Sequence, residues 1–228
     1  AAESAYLCMD FETMERLTGT VIAQARSIID AVDAYDVMIR SLITQNRIDE
    51  AVETGSTVLR KLGASIPDVR RIGTVTILRY LIRVKLRLFR KNFEELSSFR
   101  DMTDPRVRSV IRIIYVFAGV VGRIYPPSAF FLTLFTITQY LSHGYLPYTA
   151  YSFIYYAWIS NYLFGSFDTA SGYATVALNV LDRYDAKVLK AKIYFFYYAF
   201  IMHWRYHLKS ILKPLLEGYN LGLETGDF

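Results

Sequence analysis

Apolar residues recur every three or four positions through most of the chain, the spacing that gathers them on one side of an α-helix. In the stretch FETMERLTGTVIAQARSII (11–29), Phe11, Met14, Leu17, Val21, Ile22 and Ala25 form such a face. Asp10 stands just before it and suits an N-cap, because a short carboxylate accepts an otherwise orphaned first-turn N–H. A second, shorter helix is predicted over 35–44, with Val37, Met38, Leu42 and Ile43 inward. QNRID is a polar turn. Asp49 then opens a helix bearing Ala51, Val52, Val58, Leu59 and Leu62 on one side, with Gly63 as its stop. Thr103 or Asp104 caps the next helix, and Pro105 occupies its first position, where a missing N–H costs nothing. Val107, Val110, Ile111, Ile114 and Phe117 make its stripe. Beyond the YPP break at 125–127, helices are predicted over 130–142, 148–164, 168–183, 187–204 and 208–224. No strand alternation persists and no linker divides the chain, so the expected class is all-α.

One short pattern returns. MDFETM (9–14), NRIDEA (46–51), KNFEEL (91–96) and GSFDTA (165–170) each place an apolar residue before an acid and then a core residue. Phe11 and Ile48 are 37 residues apart, and Phe93 and Phe167 are 74 apart. Recurrence at about 35–45 residues marks stacked helix pairs. The expectation is a single solenoid of antiparallel pairs, roughly 1–63, 68–123, 126–164, 168–204 and 207–225.

From Ile124 through Phe167 there is no Lys, Arg, Asp or Glu. By length this stretch holds two membrane spans of ~20 residues. Pro126 and Pro127 stand at one end, however, and His143-Gly144-Tyr145-Leu146-Pro147 cuts the middle. The pieces left are about 15 and 17 residues, short for a bilayer. Ser128, Thr133, Thr136, Thr138, Gln139 and Ser142 make the first piece polar, and Ser152, Ser160 and Asn161 the second. Thr133, Thr136 and Tyr140 share one helix side, where small polar groups let neighbouring helices approach. IYFFYYAFIMHW (193–204) is 12 residues long and reads as a buried core helix. These features favour the inner layer of a helical array. The alternative is a membrane-associated helical protein using 124–167 and 193–204.

Composition agrees with helices. Among 228 residues, 12 Gly and 6 Pro are too few for a turn-rich β fold, and 21% charged residues are too many for a polytopic membrane protein. Cys8 is the single cysteine, which excludes an internal disulfide and thiolate metal sites and fits a reducing compartment. The start AAESAYL carries no initiator Met, basic region or cleavage-site pattern, and LETGDF ends the chain just past a helical pattern. The chain is therefore expected to be a fragment with native sequence missing at both ends.

The net charge of +5 matters less than its placement. RRIGTVTILRYLIRVKLRLFRK (70–91) holds Arg70, Arg71, Arg79, Arg83, Lys85, Arg87, Arg90 and Lys91 and no acid. Arg79, Arg83, Arg87 and Arg90 share one helix face, with Leu78, Leu81, Ile82 and Phe89 largely away from it. Three readings stand: a phosphate-tracking surface for nucleic acid, a membrane-surface helix, or a solvated face that pairs with acids elsewhere. The last is the ordinary reading, and a nucleic-acid partner is not expected. Tyr151, Tyr155, Trp158 and Tyr162 are a further candidate interaction surface, since Tyr is favoured at interfaces. Rings that simply pack between helices are the alternative.

Catalytic signatures are missing: there is no GxxxxGK[ST], HExxH, CxxC or GxSxG. His203 and His207 stand four apart and share a face if one helix runs through both. They are weak candidate metal ligands, because two fall short of the usual three or four, and a small-molecule- or metal-binding helical domain using them is a further alternative. Glu94-Glu95 and Asp49-Glu50 are adjacent residues, which do not face each other on a helix. They suit first turns, where acids complement the helix dipole. Neither catalytic residues nor a cofactor are expected, so the segment is not expected to be an enzyme.

The runs NRIDEAVETGSTVLRKLGASIP, MTDPRVRSVIRI, GSFDTASGYATVALNVLDR and IMHWRYHLKSILKPLLEGYNLGLETGD, in this order, resemble the helical-repeat region of large bacterial signalling proteins. Those proteins join a serine/threonine-kinase-like domain and a predicted AAA-type ATPase to this region, followed by GAF and histidine-kinase or other output domains. The resemblance implies a tetratricopeptide-like α-superhelix, a cytoplasmic location, and protein partners or neighbouring domains of the same chain. It brings no catalytic residue to this segment.

Overall fold

A computed structural model describes residues 1–204 and 206–225. Twelve α-helices account for most of them, and the only strand-like feature among the described residues is an isolated bridge between Asp101 and Tyr145. The chain divides into two compact units that are discontinuous in sequence: Ala1–Ile77 with Thr103–Leu132, and Leu78–Met102 with the chain from Thr133 onward. Each unit is assembled from separated segments, which is why no single linker in the sequence marks the division.

The first unit contains α1 (Ala2–Leu7), α2 (Phe11–Gln24), α3 (Val32–Thr44), α4 (Ile48–Lys61) and α7 (Pro105–Ile124). Asp10 caps α2, its carboxylate accepting from the Thr13 N–H at 3.1 Å. Asp104 caps α7 through the Arg106 and Val107 N–H groups, directly before Pro105. Asn46 turns the chain from α3 to α4 with φ +59°, a left-handed conformation that Asn tolerates well. Gly63 ends the α4 segment at φ +72°, and a Cβ there would sit 1.8 Å from the Arg106 guanidinium. The left-handed conformation is what favours glycine, since the guanidinium is the far end of a flexible side chain. α3 and α4 pack on α7, and α2 packs on α3. Met14, Ile39, Leu59, Ile113, Phe117 and Val121 fill the space between them. Gly55 on α4 lets the Phe117 ring lie 3.2 Å from where a Cβ would be. Asp36 on α3 is the one strongly buried acid of this core, held by Arg40 Nε at 2.5 Å and by Arg112 Nε of α7 at 2.6 Å. Arg112 also pairs with Asp33.

The second unit contains α6 (Phe93–Ser97), α9 (Thr149–Phe164), α10 (Phe167–Arg183), α11 (Lys187–Tyr194) and α12 (Leu208–Thr225). It also holds the later parts of α5 (Thr74–Phe89) and α8 (Pro126–His143). α9 and α10 are joined by Gly165, left-handed at φ +62°, and Ser166, and they fold back along each other. α6 lies on α10: Phe93 covers Gly172, where a Cβ would collide with the ring, and meets Tyr173 edge-on with centroids 5.2 Å apart. Two backbone bonds, from Met102 N–H to Tyr145 O and from Tyr145 N–H to Arg100 O, tie the segment after α6 to the α8–α9 turn. Arg183 clamps the same place through Asp101 at 2.9 Å.

All four apolar–acid sites open a helix. Phe11, Ile48, Phe93 and Phe167 are the first residues of α2, α4, α6 and α10, each with an acid next, where the helix N-terminus favours negative charge. The helices so opened differ widely in length, from 5 residues in α6 to 17 in α10.

The uncharged stretch forms α8 and α9, of 18 and 16 residues. Among the described residues no helix is long and apolar enough to cross a membrane. Every α8 residue from Phe131 to Thr138 is buried. Several polar groups of the stretch pair within it, although the buried Tyr145 hydroxyl finds no partner among the described residues. Thr136 and Ser152 hydroxyls pair at 3.0 Å, Thr138 donates to Phe135 O at 2.7 Å, and the Leu146 N–H donates to Thr149 Oγ1 at 3.0 Å.

The segment 187–204 departs from expectation. α11 passes into a π-helix at Phe195–Ile201 and a 3-10 turn at Met202–Trp204. Only Ile193 and Ile201 of 193–204 are buried, and Phe195 and Trp204 are exposed, so this is not the buried core helix expected from its lack of charge. Wide i→i+5 turns re-aim successive side chains. Here they bring Phe196 and Phe200 onto α9, with Phe196 and Phe200 5.6 and 5.3 Å from the Trp158 ring.

Burial pushes the hydroxyls of Tyr140, Tyr145 and Tyr156 well above the usual phenol range. An unfolded chain releases these protons near pH 10, at about the ordinary Tyr value. The folded chain retains them, so stability is intact below that pH and falls above it, by about 1.4 kcal/mol per pH unit for each such tyrosine. An alkaline titration should therefore show helicity falling above about pH 10, and Tyr140→Phe should move that loss to higher pH. Helicity unchanged well above that pH would contradict this.

Candidate interaction surfaces

α5 is amphipathic in an unusual way. Val84 and Leu88 are buried, and Ile77 and Leu81 are half-buried beside them. The opposite side is apolar as well: Leu78 is 53% exposed, Ile82 50%, Leu86 65% and Phe89 89%. These positions repeat at helix spacing, so they line one open stripe. Arg79, Arg83 and Arg90 run along one edge of the stripe and Lys85 along the other, all exposed.

The four arginines chosen from sequence do not share one fate. Arg87, though exposed, reaches across to α8 within the second unit and donates to Thr138 O at 3.2 Å and Ser142 Oγ at 2.7 Å. It is a structural tie. Arg83 lies over its neighbour Tyr80, 5.2 Å from the ring centroid. Among the described residues, Arg79, Arg83, Lys85 and Arg90 have no acid within ion-pair distance, whereas Lys91 pairs with Glu95 and Arg70 with Glu53. Leu86, Arg87, Phe89, Arg90, Lys91 and Leu141 line an open cleft of about 790 Å³ at the end of α5.

The aromatic candidates divide in the same way. Tyr151 and Tyr155 stack at 6.2 Å, and both meet Phe196 edge-on, as Tyr155 meets Trp158 at 5.3 Å. These three are half-buried and belong to the contact between α9 and the π-helix. Tyr162 is exposed, together with Leu163 and Phe164.

His203 and His207 do not lie on one helix. His203 belongs to the 3-10 turn, and His207 stands before α12, where its Nδ1 accepts from the Lys209 N–H at 3.1 Å. Arg205 between them lies outside the described residues. Among the described residues, no three His, Cys, Asp or Glu side chains gather as a metal site.

No protein-family model, curated protein or solved structure matches this chain. The chemistry of its surface is therefore the ground for assigning a role. One surface escaped the sequence reading. α12 buries Ile211, Gly218 and Gly222, with Gly218 allowing Tyr194 of α11 to approach to 3.2 Å of a would-be Cβ. On its other side Leu208, Leu212, Leu216, Tyr219 and Leu223 form a second open apolar stripe. The signal was present in both helices. In α5, ten of sixteen residues are apolar, more than one buried face can use.

Proposed function

We propose that this chain is a non-catalytic helical-repeat scaffold of the tetratricopeptide-like kind, a regulatory segment holding protein partners or neighbouring domains in a cytoplasmic signal-transduction ATPase or kinase. The open stripe on α12 carries the reading. A helix that packs on α11 with one face and presents five large apolar side chains on the other has the pattern of an inner layer, covered on both sides by helices. Large contiguous apolar surface on a protein marks a contact site. The four sequence runs that resemble the repeat region of bacterial signalling proteins support the same role.

The test is the mass of the purified chain by light scattering across concentration. With no other helix present, the stripe should cover itself by self-association. Leu212→Glu with Leu216→Glu should give a monomer of unchanged helicity. A wild-type chain that stays monomeric at its highest soluble concentration removes the main support for the scaffold reading.

A further inference from the structure

The stripe on α5 differs from that on α12 in its charge, and that difference identifies its partner. We infer that the outer face of α5, together with the end of α9, docks on an anionic lipid surface. The inference uses a different face from the scaffold reading and stands or falls independently of it.

Three observations carry it. First, the stripe is fixed in place. Val84 and Leu88 anchor the opposite side of α5, and Arg87 ties the helix to α8, so Leu78, Ile82, Leu86 and Phe89 cannot roll inward. From Leu78 to Phe89 the stripe runs about 16 Å along the helix axis. Second, its borders are cationic, with no acid paired to them among the described residues. Arg79, Arg83 and Arg90 flank one edge and Lys85 the other, and no acid occurs between Leu78 and Asn92. Long basic side chains lay their aliphatic stems on apolar surface and lift their charge to its rim, the arrangement that suits lipid tails below and phosphates above. Third, the surface extends beyond one helix. The Lys85 ammonium sits 3.5 Å above the Phe164 ring, joining the stripe to the exposed Tyr162, Leu163 and Phe164 at the end of α9. Aromatic and Leu side chains of this kind are favoured at the headgroup level.

Other occupants fit less well. A second copy placed stripe to stripe on α5 would oppose cations to cations. The α12 stripe of a second copy brings Lys209 and Lys213 on its first two turns and Glu217, already paired with Lys190, and Glu224 further on, so it offers no net negative charge to match α5. An acidic amphipathic helix would complement α5 but would leave the α9 end uncovered. Nucleic acid would use the cations while leaving four large apolar side chains in water.

The experiment is co-sedimentation of the chain with vesicles of phosphatidylcholine alone, or with about one-third phosphatidylserine. Binding is expected to the anionic vesicles and not to the neutral ones. Arg79→Glu with Arg83→Glu should weaken it by roughly 30-fold or more, at about 1 kcal/mol for each cation near an anionic surface. Leu86→Ser with Phe89→Ser should weaken it comparably, because insertion supplies the rest. All four side chains are exposed, so circular dichroism should be unchanged in both variants. No binding of the wild-type chain to anionic vesicles at low salt overturns the proposal. So does binding that vanishes with salt and ignores Leu86 and Phe89, which would be nonspecific charge attraction. Absence of vesicle binding together with saturable binding of an acidic amphipathic peptide would assign the face to a protein instead.

Discussion

Phe117→Ala is expected to lower the stability of the first unit by about 4–5 kcal/mol, towards the upper end for a buried ring. Phe117 is fully buried, and its ring lies against the α4 backbone at Gly55. The cost of such a truncation depends on how far neighbours can close the void. Here one wall is helix backbone without a side chain, so nothing there can swing in to fill the space. The same geometry makes a sharper test. Gly55→Ala alone sets a Cβ 3.2 Å from the ring, so Phe117 must give by a few tenths of an ångström; this strain penalty opposes the ~1 kcal/mol that Ala gains over Gly inside a helix, and the net change should lie within about 1 kcal/mol of zero. In a Phe117→Leu background that penalty should shrink, since the methyl then enters space the smaller side chain leaves. Urea unfolding of the four proteins gives the coupling. Additive losses would show that the two residues do not share the contact.

Asp36→Ala should cost about 2–3 kcal/mol. The Asp36 side chain is 5% exposed and receives Nε–H from both Arg40 and Arg112. Breaking a fully buried pair costs more, but these guanidiniums are 43% and 38% exposed and water can take over part of their charge. Asp36→Asn keeps the shape and one acceptor and should fall between. A double-mutant cycle of Asp36 with Arg112 isolates the link between α3 and α7 from that within α3. A loss under about 0.5 kcal/mol for Asp36→Ala would place this cluster among ordinary surface ion pairs.

The two substitutions probe different sources of order. Asp36 and Arg112 are 76 positions apart, and no pattern of either helix marks them as partners. Phe117 was legible as a core residue from its stripe, but its seat against Gly55 was not, because Gly in a helix reads only as weak propensity.

Local physics was legible throughout. Asp10, Asp104 with Pro105, and the stop at Gly63 depend on groups within a few residues of one another, and each is where the sequence puts it. The apolar–acid sites likewise open helices, because the dipole acts within a single turn. The division of the uncharged stretch followed from its prolines and glycine. In α5 the sequence showed basic and apolar positions at separate angles, but not which apolar side was covered. The π-helix was out of reach for a similar reason. It differs from an α-helix by a slip of one residue, and ring packing between Phe196, Phe200 and α9 decides that slip.

By itself, then, the sequence determined an all-α chain and the start and stop of most helices, because caps, turns and hydrophobic period act over a few residues. Tertiary structure alone decided that discontinuous segments build two units, that Arg87 is a tie while Arg79, Arg83 and Arg90 stay open, and that the outer faces of α5 and α12 are uncovered. Which apolar face is buried depends on what lies opposite it, and those neighbours come from distant parts of the chain.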